Sequence, residues 1–302
     1  MIAIQKAPFS PLERLYLRLS PQMRIAFLRA MTADIDMAAL ESAIARGDLT
    51  TINQLLVIPS AVQQEIAQVL TPAVAGGMET AASVFAATDF VANNPYVLQY
   101  AEHQAATLIQ YLTESQRQMV HDILARGFQV ALTPQEMAAE IARMVGLLPQ
   151  HALAVLNFRL GLVEQGLSQA RIERLADAYA SRLRQYRANN IARTETMSAL
   201  NAGEQQANEV LARAGVIDTI EYVKGWLIVS SDKTCMRCRL MNGQKVEIGE
   251  SFVDPSTGAR LKAPPLHSSC RCITEIVHRS ESTYQSNVPA YVPDRRSLKP
   301  AV

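Results

Sequence analysis

Charge of one sign is not in excess in this 302-residue chain: 29 lysines and arginines stand against 28 acidic residues, a formal net charge of +1. A field so balanced neither attracts nor repels a polyanion strongly, so bulk charge does not point to DNA. Long apolar runs are missing as well. The opening MIAIQKAPFSPLERLYLRLSPQ has a single lysine and an apolar pattern broken by Pro8, Pro11 and Pro21, unlike the continuous apolar stretch of a signal peptide, and no cleavable signal is expected. Leu70 to Ala87, the longest weakly charged stretch, carries Gly76, Gly77, Glu79, Thr80 and Ser83 and is too polar and broken to span a bilayer comfortably. A soluble protein without a membrane partner is expected. Familiar catalytic signatures are absent too: there is no Gly-x-Ser-x-Gly, no Gly-rich phosphate loop and no His-Glu-x-x-His. His103, His121 and His151 are scattered along separate segments, so no catalytic set is expected.

What is present is a globular composition, 49% hydrophobic and 19% charged, in a chain long enough for one large domain or two ordinary ones. From about Pro11 to Gly215, apolar residues recur at three- and four-residue spacing between Pro, Gly and Asn breaks, which predicts successive helices. The early segments fall at roughly 11–31, 36–46, 48–57, 60–87 and 95–112. Two helix starts carry capping signals: Thr113-Glu-Ser-Gln116, and Thr133-Pro-Gln-Glu136, where proline fits the first helical position and Glu136 can close a capping box. Ser168 opens an arginine-rich helix that runs to about Asn189, and Asn189-Asn190 is a candidate kink before its extension to Gly215. Between residues 171 and 193 stand six arginines, Arg171, Arg174, Arg182, Arg184, Arg187 and Arg193, against Glu173 and Asp177. The plain reading is a solvated helix face; the sharper one has Arg171, Arg174, Arg182, Arg184 and Arg187 facing DNA.

After Gly215 the texture changes to alternating β-branched and aromatic residues, beginning with Thr219-Ile-Glu-Tyr-Val-Lys-Gly-Trp226. Asn242-Gly243 signals a hairpin with a return along Lys245–Ile248, and further short strands are expected at Ser251–Val253 and Cys272–Val277. Trp226, the only tryptophan, reads as a core anchor. Arg193 and Glu195 are neighbours on different faces of their helix, so a shared catalytic site is not expected of them, and one of the two is expected to form a buried ion pair or to cap the β-region. The predicted class is α+β: mostly helical over two-thirds of the chain, then a small β-rich region and, beyond residue 279, an extended arm.

All four cysteines lie in this β-rich part, as Cys235-Met-Arg-Cys238 and Cys270-Arg-Cys272, with His267 just before the second pair. Zinc takes about four soft or borderline donors in a tetrahedron, and two ligand pairs from separated segments close such a shell. Five candidates, Cys235, Cys238, His267, Cys270 and Cys272, compete for four places. Bare thiols and disulfides are the other readings, the latter weakened by the absence of a secretory signal. If zinc (Zn2+) binds, its role is a structural staple for a region with little core of its own.

Taken in order, Ile191-Ala-Arg-Thr-Glu-Thr196, Gly215, Trp226, Ser231-Asp-Lys-Thr-Cys-Met-Arg-Cys238, Asn242-Gly-Gln244 and Pro264-Pro-Leu-His-Ser-Ser-Cys-Arg-Cys272 resemble the Mu F-like head morphogenesis family of tailed bacteriophages. The resemblance is specific after Ile191 and weaker back to about residue 130. It implies residues 1–130 as a helical region without a motif, 131–278 as the family's domain and 279–302 as an arm. It also implies a minor capsid component of the virion, in the head interior or at the portal vertex, present in the host cytoplasm during assembly. The partners implied are the portal protein, the major capsid or scaffolding protein, and packaged DNA. Two rivals remain. A zinc-dependent nuclease or toxin-like enzyme carried in the head would use His267 as base, and a cellular zinc-ribbon DNA-binding protein would need a more basic fold.

Overall fold

The computed structural model describes residues 11–31, 35–90, 93–228 and 234–280. The helical periodicity folds as α1 (Pro11–Ala30), α2 (Met37–Arg46), α3 (Leu49–Leu55), α4 (Ser60–Val84), α5 (Tyr96–Gln129), α6 (Pro134–Met144), α7 (Pro149–Glu164) and α8 (Gln169–Arg213). There follow β1 (Tyr222–Leu227), the short α9 (Met236–Met241), β2 (Lys245–Val246), β3 (Phe252–Val253), β4 (Arg260–Leu261) and β5 (Ile273–His278). The class is α+β, as the sequence predicts. The arm expected over 279–302 lies, beyond Ser280, outside the described residues, as does Asp232 of the Asp-x-x-Cys turn.

Local chemistry explains most boundaries. Asp36 and Asp48 cap α2 and α3 by accepting from the backbone N–H of Ala39 and Thr51. At α6 the predicted capping box is present: Glu136 N–H donates to Thr133 Oγ1 (3.2 Å), and the Glu136 carboxylate accepts from Thr133 N–H (2.8 Å). The predicted start at Thr113 is not a boundary, because α5 runs unbroken for 34 residues. Ser115 instead donates back to the Leu112 carbonyl, and Gln116 turns inward, where its amide donates to the Leu56 carbonyl (2.8 Å). Nor does Asn189-Asn190 interrupt α8, a single helix of 45 residues and about 68 Å.

α8 is the spine. With α1, α4 and α5 it buries one apolar core that includes Met23, Phe27, Leu70, Val74 and Leu200. With α2, α3, α5, α6 and α7 its N-terminal half closes a second, around Leu40, Met119, Ile141, Val155 and Ala180. The tightest approach is between α4 and α8. A Cβ at Gly203 would stand 2.1 Å from the Val74 carbonyl oxygen, and one at Gly77 would stand 2.1 Å from that of Leu200. Only glycine lets these two backbones meet.

The β-region is small. β1 pairs antiparallel with β5 along its whole length, from Tyr222↔His278 to Leu227↔Ile273, and with β2 on its other edge through Lys224↔Val246 and Gly225↔Lys245. β3 and β4 form a separate two-stranded ribbon. Asn242-Gly243 is not a two-residue hairpin between β1 and β2, since α9 intervenes. Gly243, at φ 80°, turns the chain out of α9, and its N–H donates to the Trp226 carbonyl (2.9 Å). Asn242 Oδ1 accepts from Ile228 N–H, tying the same turn to the end of β1.

The glycine crossing makes a paired prediction. Gly203→Ala must drive two helices apart and is expected to destabilise the fold by about 2–4 kcal/mol. Gly161→Ala, in α7 with nothing within 4 Å of the added methyl, is expected to stabilise by about 0.5–1 kcal/mol. Urea denaturation of the two variants reads both; equal midpoints would refute the close crossing.

Candidate metal centre

The five sequence-predicted donors converge at one end of the β-region. Cys235 is the N-cap of α9, its sulfur accepting the Cys238 N–H at 3.4 Å, so one short helix delivers two sulfurs. The second segment is a turn closed by Cys270 N–H donating to the His267 carbonyl (3.1 Å). His267 Nε2 lies 3.1 Å from both Cys235 Sγ and Cys238 Sγ, and Cys238 Sγ lies 3.7 Å from Cys270 Sγ. Cys272 joins Cys238 and Cys270 in a second triplet of sulfurs that shares Cys238 with the first group. All four cysteines are free thiols, with Cys235 exposed and the other three buried.

This donor set fits a tetrahedral soft-metal site. At a zinc–sulfur distance of about 2.3 Å, two thiolates of one tetrahedron stand about 3.8 Å apart, close to the Cys238–Cys270 separation. His267 Nδ1 is 2.8 Å from the Ser268 carbonyl, which places the proton there and leaves the Nε2 lone pair for the sulfur side. The Cys235 and Cys270 sulfurs each accept a backbone N–H, from Cys238 and Cys272 respectively, both at 3.4 Å, and for Cys270 this adds to the contacts that favour thiolate. Without a cation these sulfurs cannot all carry charge. The hydrogen bond between Cys238 and Cys270 holds the Cys270 thiol well down and pushes that of Cys238 far up. A divalent ion removes that conflict.

Beneath the cluster, fully buried Trp226 meets the Phe252 ring edge-on, with centroids 5.2 Å apart. These rings, with Met241, Leu266 and the three buried cysteines, form a small core of their own. Trp226 is therefore the core anchor that its sequence context predicts. Arg237, inside the Cys-Met-Arg-Cys turn, reaches the buried Asp254 carboxylate at 2.6 Å and holds it below the ordinary carboxylate range. That contact ties α9 to the β3–β4 ribbon.

Sequence reasoning missed the residues that place this centre on the helical body. Thr194, between Arg193 and Glu195, is the one that caps the β-region: its hydroxyl accepts the N–H of Ser269 (2.7 Å). Asn190 Oδ1 accepts from the Ser269 hydroxyl, and Asn201 donates to the Cys272 carbonyl. Ser269 sits at φ 62°, so the left-handed residue of the His267–Cys270 turn is the one α8 grips. Glu195 points elsewhere, accepting from Gln104 of α5 while burial raises its carboxyl above the ordinary range.

The grip continues along α8. Gln205 donates to the Ile248 carbonyl and accepts from the buried Lys224 ammonium (2.9 Å), which also donates to the Lys262 carbonyl and lies over the Phe252 ring. Glu204 meets the Thr274 hydroxyl at 3.2 Å, and burial raises its carboxyl to about 8. Asn190, Thr194, Asn201, Glu204 and Gln205 thus form a polar seam between the helical body and the β-region. None of them is separated by fewer than 43 residues from the group it meets there, apart from the Gln205–Lys224 pair.

The arginine-rich half of α8 divides. Arg187 is buried and donates to the Gly146 carbonyl (2.9 Å) and to Ser115 Oγ, and half-buried Arg184 donates to the Arg143 carbonyl. Both supply donors where α6 runs out of its own, so they do not face DNA. Arg171, Arg174 and Arg182 are exposed.

The family model described as Phage Mu protein F like protein matches residues 118–275, just over half the chain. The chain belongs to the phage Mu F-like family. It is thereby a phage head morphogenesis protein, in a family whose members are generally structural components of the virion. The match begins inside α5 and contains every candidate metal donor. No curated protein and no solved structure matches the chain. Among the described residues, no helix is long and apolar enough to cross a membrane.

Two predictions follow from the seam. Thr194→Val keeps the shape but strands the Ser269 N–H, and is expected to cost about 1–3 kcal/mol; a denaturation midpoint equal to the parent's would show that the cap is dispensable. Glu204 holds its proton in the folded chain up to about pH 8, whereas in the unfolded chain it ionises near its ordinary value of 4.5. Its folded pKa is raised, so the stability tied to the proton is fully present below pH 4.5 and is lost as pH rises to about 8. Glu204→Gln is therefore expected to flatten the fall of the urea midpoint between pH 5 and 8; parallel curves for the two proteins would exclude a protonated Glu204.

Proposed function

We propose that this head morphogenesis protein is a minor capsid component that docks on the portal protein at the portal vertex of a tailed phage, and assists head assembly, DNA packaging or ejection. The observation that carries a structural reading over an enzymatic one is the donor cluster. Cys235 and Cys238 face His267 Nε2, Cys238 also faces Cys270, and both nitrogens of His267 are engaged, one by the sulfurs and one by the Ser268 carbonyl. A histidine so held has no free nitrogen for a substrate, which speaks against its use as the base of a nuclease. We read these four as the ligands of a structural zinc, with Cys272 packed behind them. Bound zinc supplies a fixed tetrahedral joint between the α9 turn and the His267–Cys270 turn.

In this reading residues 131–278 are the family's domain. Helices α1, α4 and α5 add a layer along α8. The major capsid or scaffolding protein is the second candidate partner, and the finished protein resides in the virion after assembly in the host cytoplasm.

The test is elemental analysis of the full purified chain, combined with capture of the purified portal protein of the same phage. About one zinc per chain is expected, lost in Cys238→Ser and Cys270→Ser with a thermal midpoint lower by on the order of 10 °C, and kept in Cys272→Ala. Metal-free protein that still captures the portal would overturn the staple and leave the docking; zinc-loaded protein that fails to capture it would overturn the docking.

A further inference from the structure

We infer that the Lys224 side chain of β1 and the Gln205 side chain of α8 join in an isopeptide bond, Lys224 Nζ displacing Gln205 Nε2 as ammonia with Glu209 supplying the proton. The inference goes beyond the docking role and depends on neither the metal nor the portal protein. Lys224 is the residue that calls for it. Lysine is rarely buried unless a carboxylate is beside it, yet Lys224 is fully buried inside β1. Its Nζ donates to two uncharged oxygens, Gln205 Oε1 at 2.9 Å and the Lys262 carbonyl at 2.7 Å, and among the described residues no carboxylate forms an ion pair with it. The Phe252 ring lies against it, its centroid 5.2 Å from Nζ. An ammonium in such a place is costly. Burial, with Lys262 nearby, lowers its pKa to about 8, so about a tenth of the side chains hold the free amine at pH 7. The free amine is a nucleophile, and an amide in its place would leave no charge to bury.

Gln205 presents the other reactant in a fixed pose. Its Nε2 donates to the Ile248 carbonyl and to Glu209 Oε1, both at 2.8 Å, while its Oε1 accepts from Lys224. The carbon to be attacked, Cδ, is therefore one bond from the atom that Nζ already touches. Holding amine and amide together in this way replaces a bimolecular encounter by an effective concentration on the order of 10⁵ M or more. Gln205 and Glu209 stand four residues apart on α8, the spacing that puts two side chains on one face, so the helix itself delivers the acid to the amide. Glu204, the other acid on this stretch, is engaged with the Thr274 hydroxyl instead.

The step balances without a further reagent. The Nζ lone pair forms a bond to Gln205 Cδ, and the carbonyl electrons move onto Oε1. Glu209, already bonded to Nε2, delivers a proton to it as a general acid; the Cδ–Nε2 bond breaks, and ammonia leaves. The proton that Nζ sheds restores the Glu209 carboxyl, and the carbonyl re-forms as a secondary amide. A surface cleft lined by Glu209, Ile248, Gly249 and Lys262 lies beside the leaving nitrogen and gives ammonia a way to water. The product makes one contact of the polar seam covalent. It ties β1 to α8 and closes a short loop across positions 19 residues apart, which constrains the unfolded chain as any cross-link does.

The experiment is mass spectrometry of the full purified chain under denaturing conditions, followed by fragmentation of its proteolytic digest. The expected parent mass is that of the sequence less one ammonia, with a branched peptide joining Lys224 to Gln205. Gln205→Leu and Lys224→Arg, which each lack one reactant, are expected at their full sequence mass. Glu209→Gln keeps a polar group against Nε2 but has no proton to deliver, and is expected to form the link slower by on the order of 100-fold, so that freshly purified protein is mostly unlinked and converts on incubation. Where a variant does not fold, the branched peptide of the parent decides alone. A parent chain that keeps its full mass after prolonged incubation at neutral and mildly alkaline pH overturns the proposal. So does an ammonia loss that fragmentation places elsewhere, such as at Asn242-Gly243. A Glu209→Gln chain that links as fast as the parent overturns the proton route through Glu209.

Discussion

Everything in this fold is arranged around the two sides of α8. On one side Gly203 removes its side chain so that the α4 backbone can lie against it, and Gly77 does the same in return. On another a run of buried polar groups receives the β-region. The β-region needs that reception because its own resources are slight: three of its five strands are two residues long, and its private core holds only a handful of side chains beyond the cysteines. Unaided, so little apolar burial leaves a β-unit marginal. Two constraints bear on that shortfall, the hydrogen-bonded seam to α8 and the joint that a metal held by these donors would supply between α9 and the His267–Cys270 turn.

The seam and the metal centre are one device. Ser269 lies inside the turn that carries His267 and Cys270, and its N–H and hydroxyl are both consumed by α8. The turn therefore has its shape imposed from the helix before any ion arrives, which lowers the ordering cost of binding one. In return, an ion held by the turn would also steady the Cys272 carbonyl on Asn201 and the start of β5. The same helix couples the family-matched segment to the helices before it. Gly203 lies within the family-matched segment and Gly77 outside it, yet neither can change without the other feeling it.

Helix existence was legible in the sequence wherever apolar spacing was regular, and so were the α6 capping box and the gathering of Cys235, Cys238, His267, Cys270 and Cys272. What misled was polar residues within helices. Thr113–Gln116 has the composition of a cap, but a serine that bonds back to its own helix and a glutamine that bonds a distant carbonyl look the same in sequence as capping groups. Asn190 reads as a kink for the same reason: its side chain is spent on Ser269, a partner 79 residues away that no local pattern announces. Thr194 hid in the same manner inside Arg-Thr-Glu, where the two charged neighbours drew attention. Asn242-Gly243 did mark a turn, and its error was of connectivity, since the six residues before it form a helix capped by a cysteine.

Arginine shows why composition and function part company here. The net charge of the chain is close to zero, and a reading by totals finds no nucleic-acid signal. Folding sorts the arginines by environment. Arg184 and Arg187 face inward and finish α6, because a helix end packed against another helix leaves carbonyls that water cannot reach. Arg143 and Arg159 face the acids of the α6–α7–α8 junction, where burial makes an unpaired carboxylate expensive. Arg171, Arg174 and Arg182 are claimed by none of these demands and stay exposed on one strip of α8. A surface of one sign can thus arise within a neutral chain, because the acids beside it are paired with arginines of other helices.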